Sequence, residues 1–465
     1  MDKSEIDMPS IIPLGIKHVD TIKKTHGEES ARRGYQACSM NTIEKYRQYV
    51  NTNFVKKVQP IVIDRAEGAT LWDENGRAYL DLFSGISVVN AGHNRPEVIE
   101  AAAAQMQRLV HCNSYLYHNR ATADLAEALA SIMPSPDLRV SFFGNSGAEA
   151  MEGAMRLAKQ YTGRSEFVAL EMSFHGRTVG TLSVTGNRKR KHQGGPYLPG
   201  VAFAAVPYPY RSPFGSDPAI CAQQCARDVK RVIDLHTSGD VAAFIAEPVL
   251  GEGGILVPPP DYFKLVKEIL EPRGILFICD EVQSGFGRTG RMLAIEHYGV
   301  IPDILVTAKG IANGFPLSAF TTREEIAKAF TPGDHLSTFG GNPVCCAAAL
   351  ANLQVHCRER LAEQAEAKGK RLLERLRGLA SKHATIGEVR GLGLMIGIEL
   401  VSDRSLKTPD SGAAERIQDR MLEDGILIGV GGTYGNVLRL QPPLVIQEEA
   451  LDCGVAALDR ALAAN

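Results

Sequence analysis

Three short apolar runs in this chain each end on ionisable side chains. Val241–Ala246 runs into Glu247, Ile275–Cys279 into Asp280 and Glu281, and Ile304–Ala308 into Lys309. Apolar runs of this length beside turn residues read as buried parallel strands. In parallel α/β sheets the ligand crevice lies outside the carboxyl ends of the strands, so these carboxylates and this amine would reach one sheet edge. Lysine is almost never fully buried without a partner, and burial lowers its pKa toward nucleophilic use. A lone buried carboxylate is costly unless it is paired. An acid and an amine on one edge suit a cofactor that needs a proton held on one side and a covalent amine on the other. The plainer readings are an arginine partner for Asp280 and a lysine reaching out to solvent.

Four further stretches carry binding chemistry. Gly144-Asn145-Ser146-Gly147-Ala148 follows a strand and opens a helix. Free N–H groups at such a start make an anion site, although Asn and Ser also serve there as plain caps. In Phe174-His175-Gly176-Arg177-Thr178, Phe174 could stack on a flat ring and Arg177 could grip a carboxylate in bidentate fashion; a solvent-side turn is the alternative. Arg439 lies inside the apolar stretch Asn436–Pro442 and needs an acid, for which Glu247 is the expected partner. Gly285–Gly290 reads G-x-G-x-x-G, the dinucleotide fingerprint. Its glycines start five residues beyond Asp280, and the acid Asp303 precedes its strand rather than ending it, so a nicotinamide reading is disfavoured.

The elements that position these residues alternate. Helices are expected at Glu97–Leu109, Thr122–Ser131, Ala148–Tyr161 and Ala219–His236, and strands at Arg139–Phe143, Phe167–Leu170 and Val201–Val206 besides the three opening runs. That alternation implies βαβ units and a mainly parallel sheet. Before it, Gln59–Arg65, Ala69–Asp73 and Ala78–Phe83 read as strands, the last two joined at Asn75-Gly76, a hairpin signal. After Asn342-Pro343 comes a long helix, Val344–His383 with a break near Arg358. Single strands are then expected at Glu388–Leu400, Ile426–Val430 and Val437–Gln441, with helices at Ala413–Glu423 and Glu448–Leu462. A polar arm and a helix around Met40–Val50 open the chain. At 465 residues the chain exceeds the size of one core. The expected division is an arm with part of a small domain over 1–89, a large domain over 90–345, and the rest of an α+β small domain over 346–465.

The balance of 51 basic against 53 acidic residues gives no electrostatic case for nucleic acid or membranes. The basic run Arg188–Lys191 reads as a solvated loop. Nine cysteines without metal-ligand spacing point to buried thiols in a reducing, cytoplasmic setting, and no metal site is expected. The acidic N-terminus resembles neither a signal nor a transit peptide, and no apolar run is long enough to span a bilayer.

Taken together, NSGAEA at 145–150, FHGRT at 174–178, AEP at 246–248, DEVQSGFGRTG at 280–290, AKG at 308–310 and STFGGNP at 337–343 resemble the class III aminotransferases that depend on pyridoxal 5′-phosphate (PLP). The likeness runs from about residue 50 to the end. It implies fold type I: a large α/β domain with a mainly parallel central sheet and helices on both faces, plus a smaller α+β domain from both termini. By the same resemblance Lys309 is the Schiff-base lysine and Asp280 the partner of the pyridinium nitrogen. Val282 and Phe174 flank the ring, His175 belongs to the same cofactor site, and Gln283 meets the ring hydroxyl. Ser146, Gly147 and Ala148 cradle the phosphate. Thr338 is the phosphate ligand given by a neighbouring subunit, which implies a homodimer, or dimer of dimers, with shared sites. Arg177 would bind a distal carboxylate and Arg439 the α-carboxylate of glutamate, with Glu247 neutralising Arg439 when that carboxylate is absent; Ile86 lines the substrate. The implied reaction moves an amino group from an ω-amino acid such as 4-aminobutyrate to 2-oxoglutarate or another small 2-oxo acid. The acetylornithine and alanine–glyoxylate branches share these motifs, and racemisation or aminomutase chemistry is the rival on the same scaffold.

Overall fold

The computed structural model describes residues 40–465, and these form two compact units, 40–62 and 63–465. The arm expected over residues 1–39 lies outside the described residues. In the first unit, a helix spans Thr42–Tyr49. It opens on a capping box, in which the Asn41 side chain accepts from the Glu44 N–H and Glu44 accepts from the Asn41 N–H, each at 2.9 Å.

The second unit begins with β1 (Ile63–Glu67), β2 (Thr70–Asp73) and β3 (Ala78–Asp81), the latter two joined at the expected Asn75-Gly76 turn. Then come β4 (Val140–Gly144), β5 (Glu166–Leu170), β6 (Val201–Ala204), β7 (Val241–Ala246), β8 (Leu276–Asp280), β9 (Ile304–Thr307) and β10 (Ser318–Thr322). These seven form one sheet in the order β4-β10-β9-β8-β7-β5-β6. All neighbouring pairs are parallel except those made by β10, which is antiparallel to both β4 and β9. Strand β10 was not expected. Its sequence SAFTT has one large apolar residue, and tertiary burial on both sides, not pattern, makes it a strand.

Burial on both faces explains the unbroken apolar runs. Val168, Phe244, Ala246 and Phe277 pack beneath the helices Pro218–His236 and Tyr262–Leu270. Their chain neighbours Phe167, Ala243, Ile245 and Ile278 pack against the helix Gly147–Thr162 on the opposite face. The residue-by-residue alternation is that of a pleated strand.

The remaining strands are β11 (Ile386–Leu392), β12 (Met395–Asp403), β13 (Thr408–Pro409), β14 (Ile426–Leu427), β15 (Gly429–Gly431) and β16 (Val437–Leu440). The single strand expected at Glu388–Leu400 is instead a hairpin of β11 and β12, turning at Gly393, whose φ of 52° lies in the left-handed region. The single strand expected at Ile426–Val430 is divided between two sheets. β14 pairs in parallel with β3, and β15 runs antiparallel to β16. The helix break falls where expected, between Pro343–Arg358 and Leu361–Lys382, with Arg360 at φ 52°. Among the described residues no helix is long and apolar enough to cross a membrane, and no cluster of side chains is set to hold a metal.

Candidate active site

Strands β4, β5, β7, β8 and β9 share one direction, so their carboxyl ends share one edge of the sheet. There a cavity of about 460 Å³ is lined by Ser146, Gly147, Ala148, Phe174, His175, Arg177, Glu247, Asp280, Val282, Gln283 and Lys309. Eleven residues from five strand exits thus meet at one place, as the spacing of charges behind apolar runs implied.

Asp280 is almost fully buried, and its Oδ2 lies 2.7 Å from His175 Nδ1 while its Oδ1 accepts from the Val282 N–H at 3.0 Å. A carboxylate only accepts, so His175 donates through Nδ1. Burial pulls the imidazole down, but Asp280 outweighs it and holds His175 above its ordinary range. Among the described residues, His175 Nε2 is buried without a hydrogen-bond partner.

Lys309 stands two residues beyond β9 with φ 46°, a left-handed conformation that costs a non-glycine residue about 1–3 kcal/mol. Desolvation holds its ammonium below the usual lysine range, against the opposing pull of Asp280, Glu252 and Glu247. Gly310 permits this placement: a Cβ there would meet Asn90 Nδ2 at 2.7 Å and Phe286 Cβ at 3.2 Å.

The phosphate-type loop is a real helix start. Ser146 is the N-cap of Gly147–Thr162 and accepts from the Glu149 N–H at 3.2 Å, so the plain capping role is present as well. The first N–H groups of a helix have no partner within it and form an anion site. A Cβ on Gly147 would meet Val282 Cγ1 at 2.9 Å, so that glycine lets the helix start close against the Val282 wall. Gln283 is buried above Gly251, and its Oε1 accepts from Gln441 Nε2 at 3.1 Å.

The literal G-x-G-x-x-G stretch opens no helix. Phe286, Arg288 and Thr289 are fully buried, and Gly287 and Gly290 have φ of 79° and 93° in tight turns. Asp303, the acid such a fingerprint would use on a ribose, accepts from the Phe277 N–H at 2.8 Å and pairs with Arg323 at 2.9 Å.

One expected pairing is wrong. Glu247 does not meet Arg439, because its two oxygens are taken by backbone N–H groups of Phe174 and Gly251, each at 2.9 Å. Burial pushes its carboxyl up to about 7, against the lowering influence of His175. Arg439 instead donates through Nη1 to Glu252 Oε1 at 2.6 Å, with Phe83 beneath the guanidinium at 5.1 Å. Sequence reading passed over Glu252. Its signal was a lone acid in Gly251–Gly254, where glycines let the chain fold back, seen in the Leu250–Leu256 bridge and Gly254 at φ 116°.

Arg177 is exposed at the cavity wall, 5.5 Å from the Phe174 ring. Ile86 and Thr338 are exposed and do not line this cavity. Ile86 rides on a left-handed turn, Ser84–Ser87, with φ of 45°, 62°, 71° and 62°. Such backbone costs about 1–2 kcal/mol per L-residue. Asp81 holds it by accepting from the Phe83 and Ser84 N–H groups at 2.7 and 2.8 Å.

An acid, a lysine, an anion-binding helix start and a stacking ring around one slot define a PLP-dependent transferase of fold type I. The comparisons carry this further. The family model "Aminotransferase class-III" matches residues 52–462. The chain is 46% identical to alanine–glyoxylate aminotransferase 2 homolog 2, mitochondrial, of Arabidopsis thaliana, covering 86% of this chain and 82% of that protein. It is 40% identical to the leucine/methionine racemase of Thermococcus litoralis over 90% of this chain and 95% of that protein. An amine transaminase from an uncultivated Pseudomonas species, solved in its PLP-bound form, superposes with a TM-score of 0.84 at 37% identity, covering 87% and 95% of the two chains. The chain belongs to the class III aminotransferases and uses PLP to move an amino group from an amino donor to a keto acid.

Proposed function

We propose that the amino donor is an ω-amino acid, 4-aminobutyrate or a close analogue, and that the acceptor is 2-oxoglutarate or another small 2-oxo acid. The observation that carries this reading is Arg439: a buried guanidinium outside the cavity lining whose charge is felt at Lys309, paired with a carboxylate of the protein itself. A fixed buried arginine needs a counter-charge when its substrate anion is absent. Glu252 supplies that charge, taking the place first given to Glu247. Arg177, on the exposed wall, is the second carboxylate site, which suits donors whose acid lies far from the amine.

When bound, PLP supplies the electron sink for charge left at the substrate carbon. Asp280 holds the proton at the pyridine nitrogen, kept in place by His175. Ser146, Gly147 and Ala148 would hold its phosphate, Phe174 and Val282 would flank its ring, and Gln283 would hydrogen-bond its hydroxyl. Lys309 Nζ, held below its usual pKa by desolvation, moves the proton as general base and then general acid. Glu247 ties the Phe174 loop to the Gly251 loop.

Two copies with shared sites belong to the same reading. Ile86 and Thr338 are exposed and do not line their own cavity, and Leu116, Tyr117 and Phe339 leave apolar surface open at 65%, 67% and 61% exposure. A two-domain division of the second unit is likewise proposed, with the β3–β14 pairing as its support for a small domain drawn from both ends of the chain. Acetylornithine and alanine–glyoxylate transfer are the alternative substrate pairs. The likeness to a racemase favours one rival from another class, and omitting the keto acid separates them: a transaminase stops after one half-turnover, whereas a racemase or aminomutase continues.

The deciding experiment measures both half-reactions of Arg439→Ala across a panel of donors and acceptors. The KM for glutamate and 2-oxoglutarate should rise about a hundredfold, as expected for truncating one partner of a buried charge pair. The half-reaction with 4-aminobutyrate should change far less. Equal losses in both overturn the reading.

A further inference from the structure

The basic run Arg188–Lys191 is not the solvated loop its composition suggests. Arg188 and Lys189 are exposed, while Lys191 is half-buried, its Nζ 4.7 Å from the rings of both Tyr197 and Phe203. Arg190 turns onto Glu252, with Nη2 2.8 Å from Oε2. Glu252 therefore has one oxygen on each of two arginines, Oε1 on Arg439 and Oε2 on Arg190. The side chains are 5%, 11% and 35% exposed in the order Arg439, Glu252, Arg190, so the series leads from the protein interior outward.

Two features of this triad point to a ligand. Its formal charge is +1, two guanidiniums against one carboxylate, so Glu252 alone does not neutralise it. Arg439 Nε is also buried without a hydrogen-bond partner among the described residues. Gly431 packs its bare backbone close to that edge, since a Cβ there would sit 2.7 Å from Nε. An incoming carboxylate would complete the charge balance and meet the idle donor.

We propose that Arg190 is a positioning residue that sets specificity for substrates carrying a carboxylate beside the reacting carbon. The inference rests on the reading that Arg439 takes that carboxylate. When the substrate anion binds Arg439, Glu252 must give up its bond there. Arg190 retains the other oxygen, so Glu252 leaves as one half of an ion pair and not as a bare buried charge. Two neutral pairs result, substrate with Arg439 and Glu252 with Arg190. Without Arg190, each carboxylate substrate displaces Glu252 at the full cost of stranding a buried carboxylate. Arg190 itself touches no substrate.

The test uses the PLP-loaded enzyme and glutarate, a dicarboxylate with no amine or keto group, titrated by calorimetry. Arg190→Ala should weaken glutarate about tenfold, and Arg190→Lys should recover most of that loss. Glu252→Gln removes the competing carboxylate and should tighten glutarate. In that background Arg190→Ala should change affinity less than about twofold, because no carboxylate remains to be held. In turnover, Arg190→Ala should raise the KM for 2-oxoglutarate about tenfold with a much smaller change in kcat. An equal loss on Arg190→Ala in both backgrounds overturns the proposal, since Arg190 would then act on the ligand directly. No loss in either background, or no recovery with lysine, also overturns it. Glutarate binding that is insensitive to Arg439→Ala instead removes the underlying reading of Arg439, so the two failures are distinct.

Discussion

Two glycine-bearing loops leave the same edge of the same sheet and have opposite fates. Gly144–Ala148, after β4, opens directly into a four-turn helix and presents that helix start to the cavity. Gly285–Gly290, a few residues after β8, matches a nucleotide fingerprint letter for letter and lies buried in the scaffold. Spacing of glycines does not make an anion site; free N–H groups at a helix start do. The buried loop uses its glycines to turn tightly around Arg288. That side chain is wholly enclosed and donates to Leu394 O at 3.0 Å, Pro442 O at 2.5 Å, Ser84 Oγ at 3.2 Å and Asn90 Oδ1 at 2.7 Å. It thereby joins the loop after β8, the left-handed turn bearing Ile86, and the residues flanking β12 and β16.

This contrast can be broken at three points. The largest effect is expected in the scaffold loop. Arg288→Met leaves Asn90 and two carbonyls without their donor and should lower the unfolding free energy by several kcal/mol, at about 1–3 kcal/mol for each buried acceptor left unsatisfied. Denaturant unfolding would show it, with PLP absorbance lost in step with the fold. An Arg288→Met protein of unchanged stability would mean that the loop is not a structural tie.

A change in the cavity loop should do the reverse. Gly147→Val forces a side chain into the 2.9 Å gap to Val282 and so disturbs the ring-side wall. The PLP dissociation constant should rise by roughly tenfold to a hundredfold, while the melting temperature of the cofactor-free protein falls by only a few degrees, the usual cost of local overpacking. PLP retention through gel filtration reports the first quantity and calorimetry the second. Unfolding without selective loss of PLP would erase the distinction between the two loops.

The smallest effect concerns Glu281, the chain neighbour of Asp280 that faces the scaffold side. Burial pushes its carboxyl up to about 7, against the hydrogen bonds from Ser284 at 2.6 Å and the Ile295 N–H at 2.7 Å. Its folded pKa lies above the value of about 4.3 for an unperturbed glutamate. Between those values the folded state binds more protons than the unfolded one, so stability falls as pH rises through the window. Glu281→Gln should flatten, but not abolish, the decline in melting temperature between about pH 4.5 and 7.5, because Glu247 is shifted in the same direction. An unaltered slope would show that Glu281 titrates like an exposed carboxylate.

Much of the molecule was legible beforehand because its physics is local. Apolar runs ending on Glu247, Asp280 and Lys309 announced buried strands and the edge they share, and the helix start at Gly147 followed from its cap and glycines. Strand β10 was not legible, since its SAFTT sequence is a strand only because β4 and β9 lie on either side of it. The hairpin at Gly393 was hidden in a stretch whose every residue is compatible with extended backbone.

What the sequence determined by itself was the inventory: which acids, amines and donors reach the carboxyl edge of a parallel sheet, because strand burial and chain direction are written in the order of residues. What only the tertiary structure decided was which charge meets which. Arg439 lies 187 residues from Glu252 and 192 from Glu247, and either acid would satisfy it on chemical grounds. The Gly251–Gly254 turn settles the choice by carrying Glu252 across to β16, while the Phe174 and Gly251 N–H groups occupy Glu247. The same folding back brings Arg190, one of four adjacent basic residues, onto the far side of that carboxylate, for the same reason: long-range pairing depends on where loops return in space, and charge type alone does not specify it.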